Sequence, residues 1–185
     1  TTKVKNFNPE NSRIQTVLPG PLKYLPKIKN KFPKLYPEIL EYFEQLVKEE
    51  EKSISKLKRE YLIHGDFHPE NVIVNSSDNK VSVIDFTDIC LADWARDVGS
   101  FIQQIRYMSR GNRTDEQTKK HQQIFLKAYL KARSIKSTPE IEKRITLYRT
   151  WTALRSTIFF LTKGPSEPKN AKTELEMAAS LITKL

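Results

Sequence analysis

Glycine is scarce in this 185-residue chain: five residues, at 20, 65, 99, 111 and 164, with no two close together. That excludes a glycine-rich loop of the kind that wraps nucleotide phosphates. Cysteine is scarcer still. Cys90 alone cannot form an internal disulfide, which favours a reducing, cytoplasmic home. No stretch approaches the roughly 18 consecutive apolar residues of a membrane-spanning helix. No apolar run follows Thr1-Thr2-Lys3-Val4-Lys5, so no signal peptide is visible. Acidic residues are nearly missing from the first 34 positions, where Glu10 stands against Lys3, Lys5, Arg13, Lys23, Lys27, Lys29, Lys31 and Lys34.

What is present is enough for one domain with a real core. The hydrophobic fraction is 38% and the aromatic fraction 10%, which excludes a disordered chain although 29% of residues are charged. The formal net charge is +10. A charge of that size suits an anionic partner such as nucleic acid. Its distribution argues against that partner, because beyond the first 34 residues bases alternate with acids. The basic lead-in reads either as a solvated face or as a phosphate-attracting surface.

Prolines at 9, 19, 21, 26 and 33 mark residues 1–33 as an irregular, basic lead-in. Ile39, Leu40, Phe43, Leu46 and Val47 have helical spacing and predict an amphipathic helix ending before Tyr61. Tyr61-Leu62-Ile63 is a short apolar run. Asn71–Asn75 and Lys80–Asp85 flank the turn formers Ser76–Asn79 and predict a β-hairpin. Alternation then puts Val81, Val83 and Asp85 on one face, with Asp85 at the strand's end. The rest is helical. Trp94, Val98, Phe101, Ile105 and Met108 form one stripe, and Thr114–Gln117 forms a capping box. Thr138-Pro139 starts a long helix through Ile158, and Leu175, Ala178, Ala179 and Ile182 mark the last one. Trp94 and Trp151 belong to core stripes, His121 to a helix surface, and Cys90 reads as a small buried hydrophobe.

The polar residues between Leu62 and Phe101 carry the chemistry. A hairpin brings its ends together, so Asn71 and Asp85 can converge. A carboxylate and an amide oxygen make a hard oxygen site of the kind magnesium takes. Asp66, close by but off the metal, could accept a proton from an attacking hydroxyl. A base that orients the nucleophile and a cation that neutralises the transferring group are the minimum for phosphoryl transfer.

His64-Gly65-Asp66-Phe67-His68-Pro69-Glu70-Asn71 resembles the HGDxHxxN signature of the aminoglycoside phosphotransferase/choline kinase family, and Val83-Ile84-Asp85-Phe86 resembles its second signature. Leu91–Gly99 is similar to the GDPxxDLA segment, with Ala92, Trp94 and Val98-Gly99 departing from it. The resemblance covers residues 35–185 in architecture and 61–101 in specific motifs. It implies an α+β, mainly helical fold: a protein kinase-like C-terminal lobe over 34–185, with a small β-hairpin at its catalytic edge. Asp66 would be the catalytic base, and Asn71 and Asp85 would bind Mg2+ that bridges the phosphates of ATP. His64, His68 and Asp97 would support the catalytic loop, Asp97 by accepting backbone N–H bonds. Asp88 and Asp93 stand as loop-capping or substrate contacts.

The resemblance also implies a partner lobe. Kinases of this fold cover ATP with an N-terminal lobe bearing a strand lysine, and no Val-Ala-x-Lys pattern precedes His64. The expectation is the C-terminal lobe of an ATP-dependent small-molecule O-phosphotransferase, inactive by itself. The acceptor stays open among sugars, amino alcohols, amino acids and vitamins. The mixed-to-basic helices mildly disfavour a polycationic drug. The alternatives are a non-catalytic binding module or pseudokinase remnant, and a basic nucleic-acid-binding domain. Keeping Asp66, Asn71 and Asp85 together speaks against a pseudokinase, since clustered carboxylates repel one another without a metal.

Overall fold

The computed structural model describes residues 7–17, 20–78 and 80–185. Positions 1–6 and 18–19 of the basic lead-in, and Asn79 of the hairpin turn, lie outside them. A 3-10 turn at Pro9–Ser12 is followed by α1 (Pro21–Lys31) and α2 (Tyr36–Ile54). The proline-rich lead-in thus holds a helix and packs on the rest of the chain. Ile14, Val17, Leu25 and Ile28 are buried in the same core as Ile39, Phe43 and Leu46 of α2. Proline hid the helix. Pro21 occupies its first turn, where a missing N–H goes unnoticed, and Pro26 interrupts the pattern while Leu25 and Ile28 still share an inward face.

The buried stripe of α2 continues from Leu46 to Glu50, which is 2% exposed. Its carboxylate accepts the Ile14 N–H at 2.8 Å and the Tyr148 hydroxyl at 3.1 Å, tying the lead-in to the centre of the lobe. Burial pushes the Glu50 carboxyl up to about 7, against the opposing pull of these hydrogen bonds and of Arg96.

The strands are short: β1 (Tyr61–Ile63), β2 (Val72–Asn75), β3 (Lys80–Val83) and β4 (Cys90–Ala92). The expected hairpin is β2–β3, antiparallel, with Val72 opposite Val83 and Asn75 opposite Lys80. The second ladder, β1–β4, sets Ile63 opposite Cys90. Each ladder clamps one end of two polar segments, 64–71 and 84–89, and holds them against each other. Cys90 is fully buried there, and burial raises its thiol pKa.

The helical part comprises α3 (Ala95–Ser109), α4 (Asp115–Ala132), α5 (Pro139–Thr162) and α6 (Pro168–Ile182). Thr114 and Gln117 close the capping box at α4, and the Thr138 hydroxyl accepts the Ile141 N–H at α5. α5 is buried on nearly every side. Its Thr150, Thr152, Thr157 and Thr162 hydroxyls donate to carbonyls four residues back, so the buried polar groups satisfy themselves. α3 crosses α5 at Gly99, where a Cβ would lie 2.7 Å from the Ile145 carbonyl oxygen. This close crossing turns the buried face of α3 toward Ala95, Val98 and Ile102, and leaves Met108, expected on the core stripe, exposed. The architecture is α+β and mainly helical, with the β2–β3 hairpin at one edge. No helix among the described residues is long and apolar enough to cross a membrane.

Candidate active site

The loop after β1 is fixed from α3. The His64 N–H donates to Asp97 Oδ2 at 2.8 Å, and the Gly65 N–H donates to Asp97 Oδ1 at 3.0 Å. Burial pushes the Asp97 carboxyl above its usual range, although both N–H groups favour the ionised form. Gly65 has φ +87°, and a Cβ there would lie 2.1 Å from the Asp88 carbonyl oxygen. Only glycine fits between the two segments.

The His64 ring lies between Phe67 and Phe86, with centroids 5.7 and 4.8 Å away, and its Nε2 is 2.9 Å from the Ile84 carbonyl oxygen. A carbonyl only accepts, so Nε2 carries the proton and the buried Nδ1 is the bare nitrogen. Phe67 continues the stack through Phe101 at 4.7 Å to Phe125 at 4.2 Å, joining the loop to α3 and α4.

The second polar segment departs from a simple strand. β3 ends at Val83, and Ile84 N–H still bonds the Asn71 carbonyl at 3.0 Å. Asp85 then turns left-handed, with φ 61° and ψ 63°, into a 3-10 turn at Phe86–Asp88. The expected placement of Asp85 on the Val81/Val83 strand face is thus corrected: the left-handed turn takes it off the alternation. Aspartate tolerates this conformation because its short side chain bonds locally, here accepting the Thr87 hydroxyl at 2.8 Å. Such backbone concentrates at functional sites.

Asn71 is buried, and its amide N–H donates to the Asp66 carbonyl at 3.0 Å, which leaves its amide oxygen for another partner. The Asn71–Ile84 pairing sets Asp85 one residue beyond Asn71 across the hairpin. Among the described residues, no group of three or more His, Cys, Asp or Glu side chains is placed to hold a metal.

Asp66 lines a pocket of about 340 Å³ between the loop, α3 and α5. His68 Nε2 and Arg155 Nη1 each stand 3.6 Å from its carboxylate, and His68 Nδ1 lies 3.8 Å from Glu70. Phe67, Tyr107, Phe159 and Phe160 give the pocket an aromatic wall. Asp88 accepts from Asn11 Nδ2 at 3.2 Å. Asp93 is 1% exposed and holds Arg144 through two guanidinium nitrogens while accepting the Ala95 N–H at 3.0 Å. These bonds brace the start of α3.

Residues 6–135 match the model of the phosphotransferase enzyme family. The chain belongs to this family. No curated protein matches the sequence significantly. Among solved structures, the Plasmodium vivax ethanolamine kinase is similar, with a TM-score of 0.58 at 14% identity. The match covers 100% of this chain and 46% of that one, so this phosphotransferase chain spans less than half of that kinase's length. At so low an identity the likeness establishes the fold alone.

Sequence reasoning missed Arg155 and the strap formed by Asn8 and Asn11. Asn8 Nδ2 donates to the Thr87 and Ile89 carbonyls at 3.0 and 2.8 Å, and the Asn11 carbonyl accepts from Arg96. The one signal for Arg155 is its helical spacing from Trp151, Ile158 and Phe159 on α5. Nothing local marks the two asparagines.

Proposed function

We propose that this chain is the catalytic and acceptor-binding lobe of an ATP-dependent kinase that phosphorylates a hydroxyl on a small molecule. The observation that supports the reading is the tie of His64 and Gly65 to Asp97, which fixes the loop carrying Asp66, and Asp66 lines the pocket between that loop, α3 and α5. Asp66 accepts the proton of the acceptor hydroxyl as its oxygen bonds to the γ-phosphorus and the bond to the β-phosphate oxygen breaks, leaving ADP. Arg155 and His68, on either side of the carboxylate, hold it toward the pocket.

The free amide oxygen of Asn71 and the exposed carboxylate of Asp85 suit a hard divalent cation. Mg2+ held there would neutralise phosphate charge. His64 and Asp97 keep the loop in place.

The hairpin and the turn after it leave Ile73, Val74, Val81, Ile84 and Phe86 exposed, apolar surface that a nucleotide and a second lobe would cover. The aromatic wall and Glu70 favour a compact amino alcohol, whose ammonium is attracted to ring faces and carboxylates. Without a second lobe to cover the phosphates, this chain by itself should bind ATP–magnesium no tighter than about 1 mM, roughly −4 kcal/mol. Titration calorimetry tests that point, and micromolar binding would refute it. With a nucleotide-binding lobe supplied in one chain or in trans, transfer to ethanolamine or another hydroxyl acceptor should fall about 10²–10⁴-fold in Asp66→Asn. An undiminished rate in that variant would overturn the catalytic assignment.

A further inference from the structure

A second cavity, of about 540 Å³, opens between α3, α4, α5 and α6. It is lined by Ile102 and Arg106 of α3, whereas the pocket beside Asp66 is lined by Ser100, Gln104 and Tyr107. At 100° per residue these are different faces of the helix. Ile102, Ile145 and Leu181 give the cavity an apolar wall and are nearly fully buried.

Its charge is out of balance. Glu174, wholly buried, stands 3.5 Å from Arg106 Nη1 and 3.2 Å from Arg110 Nη1, so one carboxylate serves two guanidinium groups. The other Glu174 oxygen accepts from Gln103 at 3.1 Å. Arg149, on the α5 side of the cavity, has no carboxylate within ion-pair distance among the described residues, and its buried Nε has no hydrogen-bond partner. Arg106 Nη1 is likewise buried without a hydrogen bond. Burial and then the charge of Arg106 lower the Arg149 pKa. Lys119, Lys184, Asp115 and Glu142 also line the cavity, but all four are exposed and their charges offset, so the imbalance lies with the arginines. A dry Arg149 N–H without a partner, beside an Arg106 held only by a long ion pair to a carboxylate it shares with Arg110, is costly unless an anion completes it.

We propose that this cavity binds a small organic anion, with an oxyanion head on Arg149 and Arg106 and an apolar body against Ile102, Ile145 and Leu181. The proposal stands apart from the catalytic reading and uses none of its residues. Planar guanidinium donors suit the oxygens of carboxylate and phosphate alike, so the head is defined by charge and not by its central atom.

Phenyl phosphate and benzoate, at 10 mM and constant ionic strength, serve as probes, with benzyl alcohol as the neutral control. At least one anion should raise the melting temperature by about 3 °C, and the alcohol should not. Arg149→Met should melt no lower than the parent without anion and should lose at least tenfold in anion affinity. Lys56→Gln, an equal change of charge at an exposed position, should keep the response. Loss of the response in Arg155→Gln with its retention in Arg149→Met would place the anion beside Asp66 and overturn the proposal. So would equal stabilisation of the parent and Arg149→Met, or no stabilisation by either anion. In the unmutated protein the Arg149 Nε–H resonance should shift on adding the active anion. An unmoved resonance at saturation would overturn the proposal without any variant.

Discussion

Replacing Asp97 with alanine removes the one side chain that accepts both the His64 and Gly65 N–H groups. Each is a hydrogen bond to a charged acceptor, which contributes about 1.5–3 kcal/mol. The raw sum overstates the effect, because the carboxylate is itself held in a place that raises its pKa through burial. Part of the gain is already offset by desolvation. The expected net loss for Asp97→Ala is therefore about 2–4 kcal/mol. For a chain of this size that is roughly 6–12 °C in melting temperature. Circular dichroism melts and urea titrations at pH 7 read it directly. Asp66→Asn is the matched control: its carboxylate is nearly half exposed, with partners no closer than 3.6 Å, so it should change stability by less than about 0.5 kcal/mol. An Asp97→Ala protein that melts with the parent would show that the loop holds its shape without the α3 tie. The account of how Asp66 is positioned would then fail.

Glu50 should make the fold weaken as pH rises. Its folded value of about 7 lies above the ordinary 4.5, so its contribution is fully present below about pH 4.5 and is lost as pH climbs through 7, by about 3 kcal/mol. Glu50→Gln should flatten that slope in melts from pH 4.5 to 8, and an unchanged slope would refute the assignment. Gly65→Ala should destabilise by about 2–4 kcal/mol, since it combines a left-handed backbone with a clash against the Asp88 carbonyl. A melt matching the parent's would mean that the two segments can part without loss.

The family's polar segments were readable because their residues lie in one stretch. His64 to Asn71 and Val83 to Phe86 are local patterns, and the hairpin between them is a period-2 signal with a turn in the middle. Helix starts at Thr114 and Thr138 were readable for the same reason, because capping is decided within four residues. What escaped depends on contacts far apart in the chain. β4 is three residues long and exists only because β1 lies beside it. Arg155 meets Asp66 across the α5 face, and Asp93 meets Arg144 across 51 positions. α1 was obscured by its own prolines, although its buried residues kept helical spacing. The turn at Asp85 breaks the alternation that its strand neighbours obey, and no residue-type rule announces a left-handed aspartate.

The strap at Asn8 and Asn11 has a consequence for the order in which the lobe assembles. Its bonds to the 87–89 turn join positions 79 and 81 apart, whereas α5 and α6 are consecutive helices that can dock after a short turn. Contacts that close long loops bear their entropy before any attraction repays it, so they form late and open early. The helical bundle is thus a platform that exists before the Asp85 turn is locked onto it. Partial unfolding releases that turn while the helices persist, and amide exchange at Ile89, faster than in α5, would record the release. Heat and denaturant should silence the chemistry of such a lobe well before they erase its helices.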